Sequence, residues 1–187
     1  LAPGQRLVGQ AQPERIDDIV RTAVRAAVSG VPGPAYLGIP ANWFNKQLAS
    51  APDIYAEPSF MKVSGLRVAP LASDVERAIA FLATANKPVL LAGGGVMLSE
   101  AWAELTALAE ALHIPVVTSM AGKGSIADVH PLSVGACGRY SRKVANQVLG
   151  EADFCLAVGT RLSSMGTDVF KYPRKGTRIV HVDLDPN

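Results

Sequence analysis

The chain has 187 residues, of which 49% are hydrophobic and 18% charged, and a formal net charge of +2. That length suits one domain plus an appendage, and the apolar share is too high for a disordered chain. Interspersed acidic and basic residues give no footprint for nucleic acid or an anionic membrane, and no apolar run approaches the ~18 residues of a membrane-spanning helix.

The N-terminus lacks the basic-then-apolar order of a signal peptide. Two cysteines, Cys137 and Cys155, make no disulfide framework. The cytoplasm is therefore the expected location. Leu1 is not an initiator methionine, so the chain reads as an excised or processed piece.

Residues 1–12 read as a loop carrying Pro3, Gly4 and Gly9. Pro13 begins a helix that runs to about Ser29. Ile16, Ile19, Val20, Ala23, Val24, Ala27 and Val28 recur there at helical spacing. Gly30 to Pro34 breaks it, and Ala35 to Pro40 reads as a short strand. One strand cannot bury both faces alone, so this αβ unit is expected to lean on a neighbour or to pair between chains. Residues 46–70, with Pro52, Pro58 and Pro70, read as a linker between an appendage at 1–45 and a main domain at 71–187. The aromatics Trp43, Phe44, Tyr55 and Phe60 in and just before it are expected to pack the linker down.

From Ser73 the pattern becomes regular. Ser73 is placed to cap a helix through Thr84, with Glu76 in capping-box position and Val75, Ile79 and Leu82 on the apolar face. Pro88 to Ala92 is a strand buried on both faces, and it runs directly into Gly93-Gly94-Gly95. A helix from Ser99 to Leu112 follows, and would aim its N-terminal amides at whatever lies over the glycine turn. Further strands are expected at 115–119, 154–159 and 178–183, with a helix at 141–149. His130-Pro131-Leu132 opens a short helical piece, and residues 160–177 form a long loop or a small helix. Cys155 reads as a buried thiol, and Cys137, among glycines, as an exposable one.

Strands separated by helices imply crossover connections and a parallel sheet flanked by helices, an α/β fold. Ligands of such sheets lie beyond the strands' carboxyl ends. Those ends carry Gly93, Gly94, Gly95, Thr118, Ser119, Met120, Gly159, Thr160, Arg161, Asp183 and Asp185. This set is able to hold a nucleotide, with phosphates on the glycine amides and Arg161 and ribose hydroxyls on Asp183 or Asp185. The triplet reads equally as a tight turn. It supplies the first two glycines of G-x-G-x-x-G, but Leu98 stands in place of the third, and no acid ends the next strand.

Catalytic and metal residues are not assigned. His113, His130 and His181 are scattered without metal-ligand spacing, and no G-x-S-x-G elbow or P-loop appears.

With these stretches in view, the chain resembles the thiamine-diphosphate-dependent enzymes of the acetolactate synthase-like group. The resemblance rests on Gly33-Pro34-Ala35-Tyr36-Leu37-Gly38-Ile39-Pro40, Lys87 through Gly95, and Ile114-Pro115-Val116 through Thr118. It continues through Gly122-Lys123-Gly124, His130-Pro131-Leu132, Gly135 to Gly138, Gly159-Thr160-Arg161-Leu162 and His181-Val182-Asp183-Leu184-Asp185-Pro186. It implies that residues 1–45 are the tail of a pyrimidine-binding domain and 71–187 a Rossmann-like central domain. It also places the grip on thiamine diphosphate and Mg²⁺ outside this chain, so the chain alone is expected not to catalyse. The intact enzyme would make or break carbon–carbon bonds at a 2-oxo acid, as a dimer or tetramer joined to the remaining domains. The central domain of relatives holds FAD, ADP or nothing. Leu162-Ser163-Ser164-Met165, where flavin-binding members carry an acidic run, lowers the expectation of FAD, as does the lack of a histidine in Gly135-Ala136-Cys137-Gly138. The alternative from another class is a stand-alone FAD- or ADP-binding regulatory module. A nicotinamide-dependent oxidoreductase is disfavoured by Leu98 and the missing acid.

Overall fold

The computed structural model describes residues 6–8, 13–53, 55–63 and 65–185. The chain divides into two compact units, Leu1–Val68 and Ala69–Asn187.

In the first unit, strand β1 (Arg6–Val8) lies within the stretch expected to be a loop. It pairs in parallel with β2 (Ala35–Leu37), Leu7 opposite Tyr36. The single strand of the αβ unit therefore has a partner within the chain. Gly9 and the Pro3-Gly4 pair lie outside the described residues. Helix α1 (Ile16–Val28) follows a 3-10 turn at Pro13–Arg15 and buries Ile19.

The 46–70 stretch is attached to α1. Arg25 donates from Nε to Glu57 Oε2 at 3.1 Å and makes a second bond to Oε1. Arg21 donates to the Asp53 carbonyl at 2.9 Å, and the Gly65 amide to the Val28 carbonyl at 3.2 Å. A cavity of about 360 Å³ lies under this segment, lined by Val20 and Val24 of α1 with Tyr55, Phe60 and Met61.

The second unit is a five-stranded parallel sheet in the order β5-β4-β3-β6-β7. Its strands are β3 (Pro88–Ala92), β4 (Val116–Thr118), β5 (Ser133–Ala136), β6 (Phe154–Val158) and β7 (Arg178–Val182). Central β3 buries Val89, Leu90, Leu91 and Ala92, because helices cover both faces of a doubly wound sheet. On one face Val89, Leu91, Val117 and Cys155 pack with Leu149 of α5 (Lys143–Glu151). On the other, Leu90, Ala92 and Val116 pack with Leu105 and Ala109 of α4 (Trp102–Leu112). Edge strand β7 has no buried residue. Among the described residues no helix is long and apolar enough to cross a membrane.

Four local expectations are corrected. The glycine turn does not lead into one long helix: a short α3 (Gly94–Leu98) starts at the glycines themselves. Glu100, in left-handed conformation with φ 55°, then separates it from α4. Ser73 caps nothing, because α2 (Ala72–Ala83) begins one residue earlier, with Leu71 as the N-cap. Val75 and Ile79 of that helix are exposed. The helical piece at 130–132 leads instead into strand β5. Cys137 is buried, its thiol donating to the Gly166 carbonyl at 3.3 Å.

Candidate functional site

The eleven candidate residues all lie at the carboxyl ends of β4, β3, β6 and β7. Beyond the last residue of each strand the backbones stay tied together. Ser119 N–H donates to Ala92 O, Gly93 N–H to Val158 O and Gly159 N–H to Val182 O, each at 2.8 Å; Gly95 N–H donates to Gly159 O at 2.9 Å. These bonds decide what the glycine triplet does. Two of its three amides are committed to the neighbouring strand end, which leaves Gly94 as the one not so used.

Sterics explain the composition. A Cβ on Gly93 would lie 2.1 Å from Gly159 O, and one on Gly95 would lie 2.6 Å from Gly159 Cα. Gly159 is itself left-handed, with φ +59°, and a Cβ there would meet Gly95 Cα at 2.6 Å. Only chains without side chains at these positions approach so closely. The same holds for Gly122, whose Cβ would lie 2.2 Å from Ala92 O. Gly122 was not among the candidates, although its place after the second predicted strand was a usable signal.

The remaining candidates form two groups. Thr118 is buried and its carbonyl accepts the Cys137 amide at 2.9 Å. Ser119 Oγ accepts the Gly122 amide at 3.1 Å, while the Met120 side chain is exposed. At the β6 and β7 ends, His181 Nε2 lies 2.6 Å from the Thr160 carbonyl. A carbonyl only accepts, so Nε2 carries the proton in this contact. The same nitrogen lies 3.6 Å from Asp183 Oδ2. Asp183 Oδ1 accepts the Asp185 amide at 3.0 Å, and Arg161 Nε lies 3.7 Å from Asp185 Oδ2. His181, a residue of strand β7 that was not a candidate, belongs to this polar corner.

The loop after Arg161 folds around Thr167, a buried residue that the sequence did not single out. Thr167 Oγ1 donates to Ser163 O at 2.9 Å and accepts the Phe170 amide at 3.0 Å. Asp168, Val169 and Phe170 are all left-handed there, with φ of 49°, 59° and 60°. Asn146 likewise holds Gly138 through both its amide and its carbonyl. In the Gly122–Ser125 loop, Lys123 pairs with Asp128. That lysine bonds to Asp128 and holds its carboxyl below the usual range.

Two ligand classes are tested by these donors. The grip on a diphosphate-bound divalent cation needs clustered oxygen ligands. Among the described residues no group of three or more His, Cys, Asp or Glu is placed to hold a metal. The described residues thus present no such cluster for the metal–diphosphate end of thiamine diphosphate. At the β6 and β7 ends the available charges are the Asp183 and Asp185 carboxylates and the Arg161 guanidinium.

Residues 75–187 match the family described as "Thiamine pyrophosphate enzyme, central domain". The chain is 37% identical over 174 residues to a probable acetolactate synthase large subunit of Methanococcus aeolicus, covering 92% of this chain and 29% of that protein. It is 34% identical over 179 residues to the corresponding protein of Methanocaldococcus jannaschii, covering 94% and 30%. A glyoxylate carboligase of Escherichia coli O157:H7 is 30% identical over 169 residues, covering 90% and 28%. The chain thus spans less than a third of the length of the curated relatives it matches. These matches favour the enzyme fragment over the stand-alone module.

Proposed function

The chain belongs to the thiamine pyrophosphate enzymes, whose central domain it carries over residues 75–187, and from that premise we propose that it is part of an acetolactate synthase-like carboligase or decarboxylase acting on 2-oxo acids. Residues 1–45 are read as the tail of a pyrimidine-binding domain. In the intact protein thiamine diphosphate, with Mg²⁺, supplies the carbanion chemistry. No step of that chemistry is assigned to this chain, and the isolated chain is read as inactive. The cytoplasm, a dimer or tetramer, and association with the remaining domains are part of the same proposal.

The central domain itself is read as a nucleotide-binding crevice for FAD or ADP. The observation that carries this is the convergence of polar groups at four adjacent strand ends. With strands about 4.8 Å apart, the ends of β4 and β7 are about 14 Å apart, a span that suits a nucleotide better than a small anion. Recognition falls to side chains, since the Gly93 and Gly95 amides are committed. Arg161 takes a phosphate, Asp183 the ribose hydroxyls, and Ser119, Met120 and Thr160 line the way between, with buried Thr118 beneath them. The loop after Arg161 spends the Ser163 and Ser164 carbonyls on its own Thr167 and Val169 amides and carries no acidic run, which favours ADP over FAD.

Calorimetric titration with FAD and with ADP tests the crevice. Saturable binding that is weakened in Arg161→Ala is expected; no heat with either ligand would reject the reading. Turnover of pyruvate by the chain with thiamine diphosphate and Mg²⁺ would reject its inactivity.

A further inference from the structure

Arg161 is the sole cation among the eleven candidate residues, and it is already engaged. Its Nε lies 3.7 Å from Asp185 Oδ2, with the arginine side chain 68% exposed and the carboxylate 19% exposed. The Asp185 backbone is tied into the turn: its amide donates to Asp183 Oδ1 at 3.0 Å. Asp183 in turn lies 3.6 Å from His181 Nε2, which is anchored on the Thr160 carbonyl at 2.6 Å. The turn after β7 is thus braced so that one carboxylate faces the guanidinium beyond β6. An arriving phosphate would meet a cation whose partner carries its own sign of charge.

From this geometry we propose that Asp185 is an internal competitor for Arg161, an autoinhibitory contact that the phosphate of a bound nucleotide must displace. The proposal rests on the nucleotide reading of the crevice. It assigns the two carboxylates different jobs: Asp183 positions the turn, and Asp185 occupies the phosphate-binding cation until ligand arrives. If Asp185 instead accepted a ribose hydroxyl, its removal would weaken binding of any nucleoside.

Removing one partner of a long ion pair whose guanidinium is largely in solvent changes the availability of that guanidinium by a small factor. Asp185→Asn is therefore expected to tighten ADP binding about two- to five-fold and to leave adenosine, which has no phosphate, unchanged. Both side chains sit at the surface end of the sheet, and matching circular dichroism spectra check that the variants fold; Asp185→Ser serves as the second substitution.

The full chain, Asp185→Asn, Arg161→Gln and the double variant are titrated with ADP and with adenosine by calorimetry. The proposal predicts tighter ADP binding in Asp185→Asn and no such gain when Arg161→Gln is already present. A gain that persists in the Arg161→Gln background would mean general charge removal and would overturn it. Unchanged or weaker ADP binding, or weaker adenosine binding, in Asp185→Asn would overturn it while leaving the nucleotide reading standing. No binding of either ligand to any of the four proteins would overturn both.

Discussion

Gly93 offers the sharpest test of whether the glycine turn is there for packing. Its backbone is extended, with φ −105°, a conformation open to any residue, so alanine meets no backbone penalty. The whole cost is steric. The new Cβ would lie 2.1 Å from Gly159 O and 2.5 Å from Thr160 Cβ, where real contacts stay beyond 3.0 Å. The β6 end must retreat by about 1 Å, an overpacking cost of roughly 1–3 kcal/mol. That retreat strains the Gly93-to-Val158 and Gly95-to-Gly159 hydrogen bonds, at about 1 kcal/mol each. Gly93→Ala is expected to lose about 3–5 kcal/mol, a large part of a typical domain's ~5–15 kcal/mol. Gly166→Ala is the comparator, since its Cβ would meet nothing nearer than 3.7 Å, and its change should stay within about 1 kcal/mol. Urea unfolding followed by tryptophan fluorescence measures both. Of the two tryptophans, Trp43 lies in the first unit and Trp102 in α4, so a Trp43→Phe background isolates the sheet unit. Equal midpoints for the two alanine variants, with no ligand present, would refute the close backbone approach.

Other consequences are checked separately. Asp153 accepts the Asn86 amide at 2.8 Å and the Lys87 amide at 2.9 Å, and these bonds hold its carboxyl below the ordinary 3.8. A depressed carboxyl contributes stability that is present above the unfolded value and lost as pH falls through the folded one. The urea midpoint should therefore drop from about pH 4 downward, and Asp153→Asn should flatten that part of the profile. Burial pushes the thiol of Cys137 up to about 11; burial, with the neighbouring Cys137 adding, pushes Cys155 to about 12. Neither should react with a thiol reagent at pH 8 until the protein unfolds, which a colorimetric time course reads with and without urea. Leu90 is fully buried, and Leu90→Ala should cost about 2–5 kcal/mol. Val129, 93% exposed, should give a valine-to-alanine change of about 0.5 kcal/mol or less; equal effects would contradict the placement of the core.

The sheet was legible where burial writes a continuous apolar run. Val89 to Ala92 and Phe154 to Val158 are such runs, each bounded by turn residues, and the helices between them dictate parallel crossovers. Strand β5 escaped because Ser133–Ala136 is short and holds a left-handed glycine, Gly135 with φ +99°. Strand β1 escaped because three residues beside prolines and glycines carry no period. Helix α3 escaped because two glycines open it, and glycine is a poor helix former. The positions of the candidate residues followed from topology alone, since a parallel sheet brings its loops to one edge. Their hydrogen bonds did not. Whether the Gly95 amide faces a ligand or Gly159 depends on how closely two strand ends approach, a quantity that no spacing encodes. Thr167 was invisible for the same reason: its role arises from a loop closing on itself.

The division of labour at the sheet edge has a consequence for how such a crevice varies. Glycines 93, 95, 122 and 159 let the strand ends meet backbone to backbone, so the floor of the crevice is fixed by packing and tolerates little change. The side chains of Arg161, Asp183 and Asp185 lie on the turns beyond that floor and contribute nothing to the buried clusters. A substitution among them alters charge and hydrogen bonding at the mouth without disturbing the sheet. On the nucleotide reading proposed above, ligand choice would therefore be separable from stability. A variant of Arg161 or Asp185 should change nucleotide affinity at constant urea midpoint, whereas a variant of Gly93 should change the midpoint first and affinity only as a result.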